Sequence, residues 1–571
     1  MKINGARLFL EMLKLHGVKD VFGLPGETTL ALYREWAEFP DVRHILTHDE
    51  RAAAFMAEAY AKAAGTVGVS EAPSPGGAHP APGVLESFKG SVPTVCFTSD
   101  IPFNNDKRNM LSGFDQNRLY EAITKESMLI TRARDIPHLV RRAFRVALSG
   151  RPGAVHVRIP LDVYEEETEI HEADLYGGSC AWPADRPVAD SEMIDRSLEL
   201  LSRAEHPVIV CGQGALVSDA GEEVLALAGI FDAPVGTTMT GKGCVPERHP
   251  LSIRVIGARG GTSFSNRFLE EADLVFFVGS NTDSAGTDAW KLPSVCRPPK
   301  IVHLDISREE TGNNYPTDAC LVGDARATIA AMVEKCRSRG LGNNRESKAK
   351  VADAMNALDR SLEPARTSDD YPVHPVRFVK ELERLLPEKS FIFVEPSVGS
   401  IYSAAYLVQE RSGRMFLSNY SMGALGYVLP AAVGAAVAHP DSTVIALGGD
   451  GSFHFNCGEL ETYSRLGLNI KFVLLNNNVF GWIRGEIEHV YNGKPFGTDF
   501  RSVDYCKIAE GFGLKALKIT DPAHIARALE EAFAHRGPVL IEMPVRSQDE
   551  LVPPVPRWIP NAKRKGLPYL Y

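Results

Sequence analysis

Two apolar runs of strand type, Thr443 to Leu447 and Ile470 to Leu475, are separated by a Gly-Asp-Gly turn and a helical segment, and three asparagines, Asn476 to Asn478, end the second run. This strand, turn, helix and strand order implies an α/β sheet with parallel neighbours. Gly448, Gly449 and Gly451 allow the tight turn and let backbone amides approach an anion, while Asp450 supplies a hard carboxylate oxygen. The two strand ends face one another and carry Asp450 and Asn477, which lie 27 residues apart in sequence. A carboxylate, an amide oxygen, a backbone carbonyl and two phosphate oxygens form a set that Mg²⁺ accepts, so a divalent metal bridging a diphosphate fits here.

At 571 residues the chain is too long for one core, and about three domains are expected. Residues 1 to 165 alternate apolar strands (21–25, 66–70, 92–99 and 154–160) with helices such as 50–64, which implies a parallel sheet covered on both faces. A second α/β unit spans 191–345, with strands at 206–215, 272–280 and 300–307. A third spans 371–550 and is followed by a Pro-rich tail, 551–571. Residues 166–190 read as a linker. The N-terminal segment reads as an amphipathic helix of the fold, with Asn4 as cap and Gly17 as stop, rather than a signal peptide. Met422 to Ala438 is rich in Gly and Ala and contains Pro430, which suits a buried helix better than a bilayer span.

The net charge of −10 and the absence of a long Lys/Arg block argue against nucleic acid or an anionic membrane as partner. Nine cysteines are scattered without a C-x-x-C pair, which indicates neither a disulfide framework nor a zinc site. A reducing cytoplasm is the expected compartment.

The GDG turn, the spacer and the asparagine run resemble the signature of the thiamine diphosphate (ThDP) enzyme family, in its acetolactate synthase-like and 2-oxo acid decarboxylase branch, and the likeness covers nearly the whole chain. It implies pyrimidine-binding, central and diphosphate-binding domains in that order. It also implies Asp450, Asn477 and the carbonyl of Val479 as Mg²⁺ ligands. Glu50, in the first turn of a helix, stands where the family places the acid that hydrogen-bonds N1′ of the cofactor's aminopyrimidine; compensation of the helix dipole is the plainer reading of such a Glu. By the same likeness Pro25, Gly26, Gly449, Gly451, Ser452, Phe480 and Gly481 line the cofactor. The Gly423 carbonyl would accept from its 4′-amino group, and Leu425 would wedge between its rings, although Leu425 also reads as a core residue of an apolar helix.

His79, in the glycine-rich turn Ser70 to Gly83, is a candidate proton shuttle, with an inert surface histidine as the alternative. Gln116 lies in a stretch resembling the loop that reaches the partner subunit's site. Several departures narrow the likeness. Leu111, Ser112 and Gly113 stand where oxalyl-CoA decarboxylases carry a Tyr-Glu-Glu run, and Glu395-Pro396-Ser397 replaces the commoner Asp-Val/Ile-Gly pattern. Arg259 stands where FAD users commonly have His, and Ser280-Asn281-Thr282 stands where they place a flavin-contacting Arg. These last two argue against FAD and leave an adenine nucleotide or CoA open in the central domain. Arg259 reads either as a phosphate contact or as a solvated arginine. Glu486 occupies a position where acetolactate synthases tend to carry Trp. The tail reads either as a cover over the active-site mouth or as a passive strap.

The resemblance implies a Mg²⁺- and ThDP-dependent carboligase or decarboxylase acting on a small 2-oxo acid, as a homodimer or homotetramer. The alternatives are a CoA-thioester lyase or synthase of the 2-hydroxyacyl-CoA or oxalyl-CoA type, and a paralogue that binds ThDP without turnover.

Overall fold

Central strands of a parallel sheet need cover on both faces. Ala154–Pro160 and Ile470–Asn476 are buried at every position, including His156, Arg158 and Lys471 among their apolar residues. The computed structural model describes residues 2–294 and 297–571 and assembles the runs into three six-stranded parallel sheets flanked by helices, as expected.

The first sheet contains β1 (Asp20–Gly23), β2 (Arg43–Leu46), β3 (Gly68–Ala72), β4 (Thr94–Asp100), β5 (Ser127–Leu129) and β6 (Ala154–Pro160), in the order β2-β1-β3-β4-β6-β5. The central sheet contains β7 (Pro207–Cys211), β8 (Val235–Thr237), β9 (Ser252–Val255), β10 (Leu274–Val278), β11 (Lys300–Asp305) and β12 (Ala319–Val322), ordered β9-β8-β7-β10-β11-β12. The third contains β13 (Ser390–Val394), β14 (Phe416–Ser418), β15 (Thr443–Gly449), β16 (Ile470–Asn476), β17 (Lys515–Lys518) and β18 (Val539–Pro544), ordered β14-β13-β15-β16-β18-β17. The first and third sheets thus share one topology. In each sheet the strand order reverses beside the first strand, which opens a crevice at the carboxyl ends of β1 and β3, of β7 and β10, and of β13 and β15.

The helices that matter below are α1 (Gly5–Leu15), α2 (Glu50–Ala64), α3 (Ala81–Lys89), α4 (Val398–Tyr406), α5 (Val428–Ala438), α6 (Asp450–Asn456), α7 (Gly481–His489) and α8 (Ile559–Lys565). Asn4 caps α1 by accepting from Arg7 N at 2.8 Å, and Gly17, at φ +76°, ends that turn of chain. α2 and α5 are rich in alanine and, in α5, glycine, so their backbones pack closely and join the first unit to the third. A Cβ on Gly434 would strike the Met56 carbonyl. Within this interface Lys62 pairs with Glu58 at 2.5 Å and donates to the Ser418 carbonyl at 2.8 Å, while the Tyr427 hydroxyl donates to Glu58 at 2.7 Å. No helix among the described residues is long and apolar enough to cross a membrane.

Three local expectations change. Residues 166–190 are built into both flanking units: Glu167–Glu169 pairs antiparallel with Lys2–Asn4 and Trp182 is buried in the first unit's core, whereas Ala189 is buried in the core of the central unit. Leu425 is half-buried and lies outside α5, because Gly423 and Gly426 both hold positive φ (+78° and +81°) and the helix begins only at Val428. The tail is packed into the fold rather than strapped loosely over it. Trp558 is fully buried with Ile401 of α4, and its ring packs 4.6 Å from that of Trp482 on α7. The terminal Tyr571 then ties to the central unit, its carbonyl accepting from Ser263 Oγ at 2.7 Å and its hydroxyl meeting Asn266 Nδ2 at 3.3 Å.

Candidate functional site

The crevice of the third sheet collects the residues around the GDG turn. β15 runs through Gly449, and Asp450 opens α6 directly, so the carboxylate stands at the strand end. Its Oδ2 accepts from Asn477 N at 2.9 Å and Asn478 N at 2.5 Å, and its Oδ1 accepts from Gly451 N at 2.9 Å. The 27-residue spacing is thereby closed by hydrogen bonds across neighbouring strands. Burial raises the Asp450 carboxyl to about 6, against the pull of these N–H groups. Asn478 takes the left-handed conformation at φ +58°, which turns the chain so that Asn477 Oδ1 and Val479 N approach to 3.4 Å. Gly451 lies against the Phe480 ring, and Gly481 stands between the Asn477 and Gln548 amides.

Across the crevice, α4 begins at Val398, and the buried Ser397 Oγ before it has no hydrogen-bond partner. Gly449 faces the Ser397 side chain. Gln548 is fully buried with both amide atoms unpartnered. Gln548 escaped the sequence reading, and Ser397 entered it only as part of the Glu395-Pro396-Ser397 departure, since an isolated serine or glutamine carries no signal until its neighbours are known. Two other residues are committed elsewhere. Ser452 Oγ accepts from Gly426 N at 2.7 Å, and Glu395 is buried with its carboxylate accepting from Val428 N at 3.2 Å, at the start of α5.

A second cluster forms at the crevice of the first sheet. Pro25 and Gly26 follow β1, and Gly26 packs against Pro73, which follows β3. Glu50 opens α2, 7% exposed, with Asp49 as the helix cap accepting from Arg51 N at 2.7 Å. The Glu50 carboxylate lies against Gly76 and meets His79 Nδ1 at 2.8 Å. Gln116 is turned inward rather than carried on an outward loop: it is fully buried, its Nε2 donates to the Ser99 carbonyl at 2.9 Å, and its Oε1 faces Gly77 without a partner. The loop after β3 therefore draws Glu50, His79 and Gln116 together, and side chains at Gly76 or Gly77 would displace two of them.

Glu86, on α3 of the first unit, reaches the segment that precedes α5. It is fully buried and accepts from Met422 N at 3.2 Å, Gly423 N at 3.1 Å and Ala424 N at 3.5 Å. One carboxylate thus shapes the stretch containing Gly423 and Leu425, a link that no local pattern announces.

The chain was compared with known proteins. A model of the thiamine pyrophosphate enzyme N-terminal TPP binding domain matches residues 3–119, the central-domain model matches 194–332, and the C-terminal TPP binding domain model matches 397–543. A probable acetolactate synthase large subunit of Methanococcus aeolicus is 31% identical over 572 residues, covering 97% of this chain and 94% of that protein. The chain belongs to the thiamine pyrophosphate enzyme family. Its acetolactate synthase-like character is supported further by the acetolactate synthase of Arthrospira platensis (31% identical, 99% of this chain and 98% of the relative) and by acetolactate synthase isozyme 1 large subunit of Escherichia coli K12 (28%, 99% and 98%).

As a thiamine pyrophosphate enzyme, the chain offers a donor set suited to the cofactor's charged end. Asp450, the Asn477 amide and the Val479 carbonyl are hard oxygens of the kind Mg²⁺ accepts, and the unpartnered Ser397 hydroxyl and Gln548 amide are free to meet phosphate oxygens.

Glu86 makes a measurable prediction for a family member. Burial raises its carboxyl to about 7, against the pull of Lys62 and the loop amides. A folded-state value above the ordinary 4.5 means that the native protein holds this proton more tightly than the unfolded chain. Its contribution to stability is therefore full below about 4.5 and is lost as the pH rises through about 7. Glu86→Gln is expected to flatten the fall of the unfolding midpoint between pH 5 and pH 7.5, and identical slopes for variant and parent would contradict this placement.

The crevice at the ends of β7, β10 and β11 holds about 340 Å³ between the central and first units, lined by Gly212, Gln213, Gly214, Ser280, the half-buried Asp305 and, from the first unit, Arg151 among others. Arg259 lies elsewhere, half-buried and stacked 3.8 Å over the Trp482 ring, so it is no phosphate contact of this crevice.

Proposed function

We propose that the chain is a Mg²⁺- and thiamine diphosphate-dependent carboligase or decarboxylase that acts on a 2-oxo acid, with each site shared between two copies. The closure of Asp450 onto the Asn477 backbone at the mouth of the third sheet carries this reading. When bound, thiamine diphosphate supplies a carbon nucleophile and an electron sink for the loss of CO₂. Asp450, Asn477 and the Val479 carbonyl hold the cation, while Gly449, Gly451, Ser397 and Gln548 border the diphosphate. Gly423 and Leu425 support the aminopyrimidine, and Glu50 holds a proton toward its N1′. His79, in contact with Glu50, and Gln116, with a free amide oxygen beside Gly77, face the substrate side as proton-handling and positioning groups.

A second copy fits the placement of the two clusters. Glu50 is turned into the first unit and Asp450 into the third, and their described neighbours have no residue in common. Large apolar side chains also stand in water on the nearby segments, with Leu111 85% and Phe496 92% exposed, as surfaces awaiting a partner do. A homodimer is the minimum and a homotetramer is compatible with it; a cytoplasmic setting agrees with the eight cysteines that are free among the described residues.

The central crevice is the place for a nucleotide-type group such as an adenine nucleotide or CoA. FAD is disfavoured on the likeness alone, since Ser280 and Asn281 at the rim stand where flavin users place an Arg; the crevice's own cations are Lys89 and Arg151. Mass spectrometry of products from a panel of 2-oxo acids, with and without acceptors, tests the function. Cofactor-dependent CO₂ release or a carboligation adduct is the expected result. A holoprotein that consumes none of them and turns over a CoA thioester instead would replace this reading.

A further inference from the structure

Arg51 follows the candidate acid Glu50 on α2, yet its guanidinium is committed to the other unit. Nη2 donates to the Phe455 carbonyl at 2.8 Å and to Asn456 Oδ1 at 2.9 Å, and it pairs with Asp49 at 3.2 Å. On the other side of Glu50, His48 N donates to the buried Glu459 at 2.8 Å, and the His48 Nε2 meets Glu461 at 2.7 Å. Residues 48–51 of the first unit are therefore bolted to residues 455–461 of the third.

The bolt ends at the cofactor side of the third unit. Asp450 opens α6 and Asn456 closes it, and seven residues of helix span only about 10 Å. Asn456 is buried, and its Nδ2 donates to the Gly426 carbonyl at 2.6 Å, while Gly426 N donates to Ser452 Oγ at 2.7 Å. A Cβ on Gly426 would strike Phe455, so this turn is pressed onto the end of α6. Gly426 adjoins Leu425 in the stretch assigned above to the aminopyrimidine, and Glu86 braces the front of that stretch at Met422 and Gly423. The Asn456 amide thus holds Arg51 with its oxygen and the cofactor turn with its nitrogen.

In a pair with shared sites, these contacts run from one site to the other. Glu50 of a chain serves the cofactor held by its partner, whereas Asp450 and Gly426 of the same chain serve the cofactor which that chain holds itself. When a chain loads, Asp450 and Gly426 are fixed at the two ends of α6. The helix then presents the Phe455 carbonyl and the Asn456 amide to Arg51, and Arg51 steadies the first turn of α2, where Glu50 faces the second site. Ordering completed at the first loading does not have to be repeated at the second, which makes the second binding the tighter one.

We infer that Arg51 and Asn456 couple the two active sites of the assembled pair, so that loading one site with Mg²⁺ and thiamine diphosphate tightens binding at the other. The inference rests on the shared-site reading above, but its test separates the two.

Thiamine diphosphate is titrated calorimetrically, at saturating Mg²⁺, into the assembled parent, Arg51→Met and Arg51→Lys. In the parent the second site is expected to bind with about fivefold or more the intrinsic affinity of the first. In Arg51→Met that ratio should fall to about twofold or less, with Arg51→Lys between the two. A merely structural bolt would lower the unfolding midpoint of the variants and leave the ratio unchanged. Hydrogen exchange reads the same coupling without turnover. In a mixed pair of ¹⁵N-labelled parent and Asp450→Ala chains, only the labelled chain loads, and its own Glu50 faces an empty site. Amides 48–54 of the labelled chain should gain protection on loading, and should gain none when that chain also carries Arg51→Met. Equal or weaker binding at the parent's second site, a ratio that survives in Arg51→Met, or no protection in the mixed pair overturns the coupling. If Arg51→Met does not fold, Arg51→Gln makes the same comparison. A parent that binds no thiamine diphosphate removes the function proposed above together with the coupling, whereas uncoupled binding removes the coupling alone.

Discussion

Asp450→Ala is expected to abolish Mg²⁺-dependent binding of thiamine diphosphate, weakening the affinity by about 100-fold or more, equivalent to about 2.7 kcal/mol. Asp450 brings the only carboxylate in the proposed ligand set of Asp450, Asn477 and Val479, and the remaining donors are an uncharged amide and a carbonyl. A small, strongly hydrated dication leaves water reluctantly for uncharged oxygens alone. The same substitution strips acceptors from the backbone N–H groups of Gly451, Asn477 and Asn478, so part of the loss comes from a loosened strand end. Asp450→Asn keeps the shape and separates the two contributions: its cofactor affinity should also lose its response to Mg²⁺. Calorimetric titration with and without the metal reads both, and retained Mg²⁺-dependent affinity would refute the ligand assignment.

Glu50→Gln is expected to leave thiamine diphosphate affinity within about tenfold of the parent while slowing H/D exchange at the cofactor's C2 by about 10²–10³-fold, the range set by removal of a positioned proton-transfer group. Glutamine retains the size of the side chain against Gly76, and the Asp49 cap of α2 is untouched, so folding should survive. Quenched-flow exchange followed by proton NMR makes the measurement. An unaffected exchange rate would return Glu50 to the plainer role of balancing the helix dipole.

The elements that could be read ahead of the structure are those whose pattern is local. Ala154–Pro160 and Ile470–Asn476 are mainly apolar, β-branched-rich runs and become central strands, and Glu50–Ala64 and the Asp450 turn fall where composition and glycine spacing put them. Arg43–Leu46 went unread because a four-residue strand bearing Arg and His at the edge of its sheet has neither length nor alternation to mark it. Residues 166–190 read as a linker from their acids, glycines and prolines, yet Ile170, Trp182 and Ala189 anchor the segment in two cores, and three buried side chains so widely spaced leave no periodic trace. Leu425 was drawn into a helix by its apolar neighbours, whereas the two positive-φ glycines around it delay the helix to Val428.

In the candidate site, spacing was enough to pair Asp450 with Asn477, because strand, helix and strand lengths bring the two ends together. Glu86, Ser397, Gln548 and the stack of Arg259 on Trp482 depend on contacts between units and had no counterpart in any window of sequence.

The central claim is that Glu50 of one copy and Asp450 of another serve the same cofactor. Mixing Glu50→Gln chains with Asp450→Ala chains under conditions that allow subunits to exchange tests it directly, with C2 exchange of thiamine diphosphate as the readout. Each variant alone is expected to be nearly silent, and in the mixture exchange should return, because one of the two sites in a mixed pair carries both native carboxylates. A mixture in which subunits have exchanged but that stays as silent as its parts would contradict the account.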